Sequence, residues 1–298
     1  MELRLDRLAT LYVMSPFLRL AGGRGRSIPI LMYHSIADED ESGSHAYYRT
    51  KTSPAVFAAQ MKFLHDHGYK TCSVAQGIDH LRDEAAPADK LVVITFDDGY
   101  RDFYQQAFPS LNRYGFSATV FIPTAYIGET SISFKGKDCL TWAEVRELKE
   151  HGIVFGSHTV HHPQLHDLSV PKLQEEITHS KSTIEERLGC AVDSFAYPYA
   201  FPQADTEFKK ILRDSLRGAG YQNGVCTIVG RANRSSEPLF LERLPVNSCD
   251  DDALFQAKLN GAYDWIGKSQ YLAKKGKSYL SISTGSKHCV PNDFTCSS

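Results

Sequence analysis

A chain of 298 residues with 42% hydrophobic and 23% charged content can bury one large α/β core or two smaller ones, which excludes a disordered or fibrous protein. The formal net charge of −2, without a Lys/Arg cluster, gives no electrostatic reason to expect nucleic acid; a neutral polymer or small ligand fits better. No run approaches the ~18 to 20 apolar residues that span a bilayer, so no transmembrane helix is expected.

The opening Met1-Glu2-Leu3-Arg4-Leu5-Asp6-Arg7, followed by Leu8 to Leu18 and Arg19, sets basic residues ahead of an apolar stretch, as a signal peptide does. Its early acids, Pro16 and the missing small-residue cleavage site favour instead an amphipathic helix over residues 1–27, resting on the domain or making peripheral contact with a membrane. Without a clear export signal, the inside of the cell is the favoured location. The seven cysteines form no CxxC pair, which rules out a zinc ribbon. Their odd number favours free thiols, although Cys289 and Cys296 could pair in an oxidising compartment.

Ile28 to Tyr33 reads as a short strand ending in His34, and Ala37 to Tyr48 as a loop. Ser53-Pro54 starts a helix that carries Phe57, Met61 and Leu64 and stops at Gly68. Leu91-Val92-Val93-Ile94 reads as a strand covered on both faces, running through Thr95-Phe96 into Asp97, Asp98 and Gly99. A helical pattern over Tyr100 to Tyr114 and a strand over Ser117 to Ile122 follow. Thr141 with Glu144 forms a capping box for a helix that stops near Gly152, and strand Ile153 to Phe155 leads into Gly156-Ser157-His158. Val170 to Leu188 is a long helix closed by Gly189. Beyond it come strand Ser194 to Tyr197, helix Thr206 to Leu216, strands Val225 to Val229 and Leu241 to Val246, helix Asp251 to Leu259, and a Ser/Thr/Gly-rich tail over residues 268–298. Such repeated βα units indicate a parallel sheet, closed as a barrel or doubly wound.

Adjacent strand residues point to opposite faces, so Asp97 and Asp98 share one site only where the pleat breaks, which Gly99 permits. His158 and His162 stand four apart, and a helical turn would put both imidazoles on one face. One Asp and two His, with room for water, describe a catalytic zinc-like site better than a structural one closed by four protein ligands. His161 is out of phase with that face, and His166 has no particular claim. The plainer alternative for the acids is a helix cap beside a solvated carboxylate.

Thr95-Phe96-Asp97-Asp98-Gly99 and His158-Thr159-Val160-His161-His162-Pro163 resemble the first two motifs of the polysaccharide deacetylases, carbohydrate esterase family four, also called the NodB-type homology domain. Phe195-Ala196-Tyr197-Pro198-Tyr199-Ala200 resembles the third motif, and Ile30-Leu31-Met32-Tyr33-His34 is similar to the opening strand of the exopolysaccharide branch. The resemblance implies a deacetylase domain over residues 28–267, folded as a distorted, incomplete (β/α) TIM-like barrel. It implies a divalent metal, zinc by first choice with nickel or cobalt as alternatives, on Asp98, His158 and His162. Asp97 would be the base, the backbone N–H of Tyr199 an oxyanion donor, and Tyr197 and Pro198 a substrate-binding groove wall or merely a rigid strand exit.

The family's Leu-x-x-His acid motif is not found, and His288, the only histidine beyond His179, lies in the tail; by resemblance the acid is His34. Two departures stand out. Ala196 occupies the place of an Arg that orients the catalytic Asp, leaving Arg231, Arg234 or Arg243 as substitutes, and Ala200 replaces a Gly, so a positive φ there would be strained. The implied function is removal of N-acetyl groups from N-acetylhexosamine units of a polysaccharide, a substrate class often found at the cell envelope. An O-acetyl esterase or a catalytically idle carbohydrate-binding protein are the alternatives.

Overall fold

In the computed structural model, which describes residues 4–20, 25–39, 41, 46–86 and 89–272, seven strands form one parallel barrel. They are β1 (Ile30–Tyr33), β2 (Leu91–Phe96), β3 (Thr119–Ile122), β4 (Val154–Ser157), β5 (Ser194–Ala196), β6 (Asn223–Val229) and β7 (Leu241–Pro245). Each pairs with its sequence neighbour, and β7 pairs back with β1 to close the ring. Closure decides between the two architectures that βα repetition leaves open. The result is the distorted (β/α) barrel, one strand short of eight.

The helices are α1 (Pro54–Asp66), α2 (Val74–Arg82), α3 (Phe108–Arg113), α4 (Trp142–Glu150), α5 (Val170–Leu188), α6 (Thr206–Gly218) and α7 (Asp252–Leu259). Their starts follow local chemistry: Ser53 and Asp205 cap α1 and α6 through side-chain acceptors, Thr141 and Glu144 form the reciprocal box of α4, and Gly189 ends α5 at φ 62°. Pro109 cannot continue a regular helix, because it lacks an N–H and its ring crowds the carbonyl four residues back. The backbone widens into a π-turn over Phe103–Ala107 just before α3. Pro29 similarly splits the first predicted strand: Ser27–Ile28 pairs antiparallel with Ala232–Asn233, and only Ile30–Tyr33 joins the barrel.

Strand alternation sorts the core into two layers. Leu31, Tyr33, Val92, Ile94 and Phe96 face the helical jacket, where Phe57, Met61, Leu64, Phe103 and Leu111 meet them. The opposite parity, Ile30, Val93, Phe121, Ala196, Val225 and Leu241, fills the lumen. Helix α2, absent from the sequence expectations, packs Val74, Ile78 and Leu81 against this lumen cluster and plugs the amino end of the barrel. With that end closed, the polar residues carried beyond the strands are left at the carboxyl end.

The N-terminal segment is helical from Leu5 to Leu20, with a π-turn at Thr10–Met14 ahead of Pro16. Residues 265–272 are also helical, so the expected tail starts as ordered helix; its remainder, with His288, Cys289 and Cys296, lies outside the described residues. Cys72, Cys139, Cys190, Cys226 and Cys249 are free thiols.

Gly156 of β4 lies where a Cβ would come within 2.5 Å of the Phe121 ring and 2.9 Å of the Ser194 carbonyl oxygen. Gly156→Ala therefore overpacks the lumen and is expected to cost about 1–3 kcal/mol in urea unfolding.

Candidate active site

Three strand exits converge at the open end of the barrel. Thr95 and Asp97 share the lumen side of β2, and the Asp97 N–H donates to Tyr33 O at 3.0 Å, continuing the β1–β2 ladder by one residue. The chain then turns sharply: Asp98 adopts φ 71° and Gly99 φ 62°. This is the break that sends two sequential carboxylates to neighbouring positions rather than opposite faces.

Asp97 is fully buried and gripped by Arg243 of β7. Nη1 donates to Oδ1 and Nη2 to Oδ2, each at 2.7 Å, while Nη1 also reaches Thr95 Oγ1 at 3.2 Å and Nε donates to Cys226 O at 3.1 Å. Burial alone would raise the Asp97 pKa; the facing Arg243 charge overrides it and holds the carboxyl below its usual range. Of the three arginines left open by the sequence, Arg243 is the one on Asp97. Arg231 pairs with Asp264 and Arg234 with Glu84. His34, one residue past β1 and 20% exposed in its side chain, brings Nε2 to 3.9 Å from Asp97 Oδ2.

Asp98 faces the histidines instead. Its Oδ1 lies 3.1 Å from His162 Nε2 and 3.6 Å from His158 Nε2, and all three residues are buried. The histidines do not sit on a helical turn, contrary to the sequence expectation. Residues 158–163 form an irregular loop in which Thr159 (φ 68°) and His162 (φ 56°) are left-handed, and these two reversals aim both rings at Asp98. The loop is pinned by Thr124 and Ala125 N–H groups donating to the Thr159 and Val160 carbonyls, and by Glu176, which accepts from the N–H groups of Val160 and His161. His161 points away to Glu176, and His166 lies beside Asp167.

The donor set fits a tetrahedral divalent cation. Metal bonds of ~2.0 Å at tetrahedral angles put ligand atoms about 3.3 Å apart, close to the spacings around Asp98 Oδ1. This Oδ1 is buried without a hydrogen-bond partner. His158 Nδ1 lies 2.8 Å from Ala196 O, so the ring proton sits there and the Nε2 lone pair faces Asp98. Burial lowers the His158 pKa to about 4, keeping the imidazole neutral and able to ligate. For Asp98 burial works upward, but the His162 contact and the charges of His34, His158 and Lys135 prevail and hold it well below the usual carboxylate range.

The third motif is placed differently from expectation. Tyr197 is buried, its ring packed on Phe201 and Phe208, and Pro198 is buried as well, so neither forms a groove wall. Apolar burial outweighs exposure for a ring this large. It is Tyr199 that is 45% exposed, stacking edge-on against His162 at 4.5 Å. The left-handed residue is Tyr199 (φ 58°), not Ala200, so the strain anticipated from the Gly replacement falls one position earlier. Among the described residues no acceptor takes the Tyr199 N–H.

A hairpin that the sequence analysis missed closes over the cluster. Ser133–Phe134 pairs with Lys137–Asp138 across a two-residue turn with Lys135 (φ 50°) and Gly136 (φ 78°), for which Lys-Gly between short alternating runs was the available signal. Phe134 packs on His162 at 5.2 Å. Lys135 Nζ stands 4.9 Å from the Tyr199 ring centroid and 3.9 Å from Asp98 Oδ2.

Known proteins resemble this chain in both sequence and fold. The polysaccharide deacetylase family matches residues 84–223. YxkH of Bacillus subtilis (strain 168), a protein assigned to the polysaccharide deacetylases, is 35% identical over 220 residues, 74% of this chain and 71% of YxkH. The poly-β-1,6-N-acetyl-D-glucosamine N-deacetylase of Escherichia coli (strain K12) is 32% identical over 139 residues, 43% of this chain but only 20% of that enzyme. Among solved structures, the Streptococcus pyogenes deacetylase PplD in complex with acetate superposes with a TM-score of 0.68 at 28% identity, covering 79% of this chain and 99% of PplD.

Removing the guanidinium leaves Asp97 buried and unpaired, so Arg243→Met is expected to lose about 3–5 kcal/mol at pH 7. Asp97 in the native protein titrates below its unfolded value, so its contribution is present above that value and lost as the pH falls. In Arg243→Met the carboxyl is pushed upward by burial, and the deficit shrinks toward pH 4. Urea unfolding at both pH values checks this; Arg243→Lys restores only part of the loss, because an ammonium cannot make the bidentate pair.

Proposed function

This chain belongs to the polysaccharide deacetylase family, a hydrolase family, and on that premise we propose that it removes N-acetyl groups from N-acetylhexosamine units of a polysaccharide. The observation that carries this reading is the division of labour between adjacent carboxylates: Asp97 turned to an arginine inside the barrel, Asp98 turned to two imidazole nitrogens. A binding module needs no such pair. The Escherichia coli enzyme, named for poly-β-1,6-N-acetyl-D-glucosamine, supports the substrate class, and the acetate held by the Streptococcus pyogenes deacetylase supports the product.

Asp98, His158 and His162 would hold a divalent cation, zinc by the N₂O donor set, which when bound supplies Lewis-acid polarisation of the acetyl carbonyl and lowers the pKa of an adjacent water. Asp97 accepts the proton of the attacking water. Arg243 fixes its orientation and keeps it ionised, and the bidentate grip leaves each carboxylate oxygen a second lone pair for that proton. The Tyr199 N–H donates to the oxygen on which negative charge develops. His34, beside Asp97 and partly open to solvent, protonates the departing amine, since an amide nitrogen leaves only once it carries a proton.

Acetate release from N-acetylglucosamine oligomers by zinc-loaded protein tests the proposal. Asp97→Asn is expected to lower kcat about 10²–10⁴-fold, and chelation to abolish turnover, restored by added zinc. His34→Ala with undiminished turnover would remove the acid assignment. Asp98→Asn is expected to lose zinc stoichiometry by elemental analysis while the far-ultraviolet circular dichroism is retained. Zinc and oligomer binding without acetate release would leave only a binding module.

A further inference from the structure

Exposed apolar side chains gather on one part of the surface, on residues that take no part in the site. Leu5 (69% exposed), Leu8 (37%), Tyr12 (71%), Val13 (61%), Phe17 (59%) and Leu20 (88%) all lie on the N-terminal helical segment, and Leu272 (67%) stands on the helix over residues 265–272. An uninterrupted α-helix advances 100° per residue, which would swing Phe17 and Leu20 well away from Leu5 and Leu8. The π-turn at Thr10–Met14 takes up one extra residue and rotates the downstream part back by about that angle, bringing the six side chains of the segment toward one stripe.

Polar contacts on the other face hold the segment to the rest of the fold: Arg4 donates to Cys249 O and Asp250, Tyr263 O–H to Asp6, and Trp265 Nε1–H to Thr10. Of the stripe, Phe17 and Leu272 also border a cavity shared with Leu81 and Val229. Asp250 is itself buried against Lys258, so the anchor is fixed rather than sliding. Arg4 is tied to the loop after β7, at the carboxyl end of the barrel, whereas Ser27 already pairs beside the amino end of β1. The segment therefore descends the barrel flank with these apolar side chains largely exposed.

We propose that this face docks the protein peripherally on a membrane surface bearing anionic lipid. The segment of 16 residues, ~24 Å as a helix, can lie in the interface but not cross it, and no described helix is long and apolar enough to span a bilayer. Tyr12 and Phe17 supply interfacial aromatics. Arg19, next to Leu20, and Lys268, near Leu272, are exposed and have no ion-pair partner among the described residues; this positive rim complements anionic headgroups and would oppose a partner that is itself basic. With the barrel flank on the lipid, the site mouth opens along the membrane plane.

Co-sedimentation of the full chain with phosphatidylglycerol–phosphatidylcholine vesicles, beside phosphatidylcholine alone, tests this independently of any catalytic reading. The wild type should bind the anionic vesicles more tightly and lose binding with added salt. The double variant Phe17→Glu/Leu20→Glu should bind at least about tenfold more weakly, Arg19→Glu should weaken binding to anionic vesicles alone, and Val170→Glu, at an exposed position on α5, should bind as the wild type does. Because these side chains are exposed, circular dichroism and thermal melting should be unchanged in all three. Equal binding by the wild type and the double variant, or no wild-type binding to either vesicle, would overturn the proposal. So would a wild-type dimer in analytical ultracentrifugation that the double variant converts to monomer, which would assign the stripe to a second copy of the chain.

Discussion

The bidentate pair between Arg243 and Asp97 is the constraint on which the site depends. Arg243 stands on β7 and Asp97 immediately follows β2, so the pair passes over the lumen side of β1 and ties the strands on either side of it. Burying both ions is costly, and the cost is met only because the guanidinium donors also reach Thr95 and the Cys226 carbonyl. Such a pair is weak evidence for stability. It is better understood as a fixture: it locks one carboxylate of an Asp-Asp sequence inside the barrel, so that the backbone reversal at Asp98 can deliver the other to the histidines.

Backbone strain follows the same map. The non-glycine residues with positive φ among those described are Asp98, Lys135, Thr159, His162 and Tyr199. Four lie just beyond the ends of β2, β4 and β5, and Lys135 tips the hairpin that covers them. Left-handed backbone costs of order 1 kcal/mol or more per residue, and it persists where surrounding contacts over-determine it. Here the Glu176 carboxylate, the loop after β3 and the packing of Phe134 on His162 supply those contacts.

The barrel separates its duties by direction. Its amino end is sealed by α2 and an apolar lumen, its carboxyl end carries the ionisable groups, and its flank carries the N-terminal segment with an outward apolar face. A rigid closed sheet makes this separation durable, because loops at one end can be reshaped without disturbing the packing at the other. The polar anchor of Arg4, Asp250 and Lys258 leaves the apolar stripe outside the folding core.

The sequence by itself determined what depends on near neighbours. Capping residues, glycine stops and alternation located most helices and strands, α5 from Val170 to Leu188 most closely, and residue types at fixed spacing singled out Asp97, Asp98, His158 and His162. Helix α2 was legible as well, through the Ser73–Gln76 box and the helical spacing of Val74, Ile78 and Leu81, but its nine residues make a short signal beside the longer helices. Only the tertiary structure decided the rest: which of three arginines meets Asp97, that Tyr197 turns into the core while Tyr199 faces the site, and that the histidines converge through left-handed loop residues rather than a helical turn. Those outcomes are set by barrel closure, which seats β7 on the other side of β1 from β2 and fixes where each strand exits. Pairings between residues nearly 150 positions apart are not written in local pattern, because the chain pays no steric or electrostatic penalty for any of the alternatives until the ring is closed.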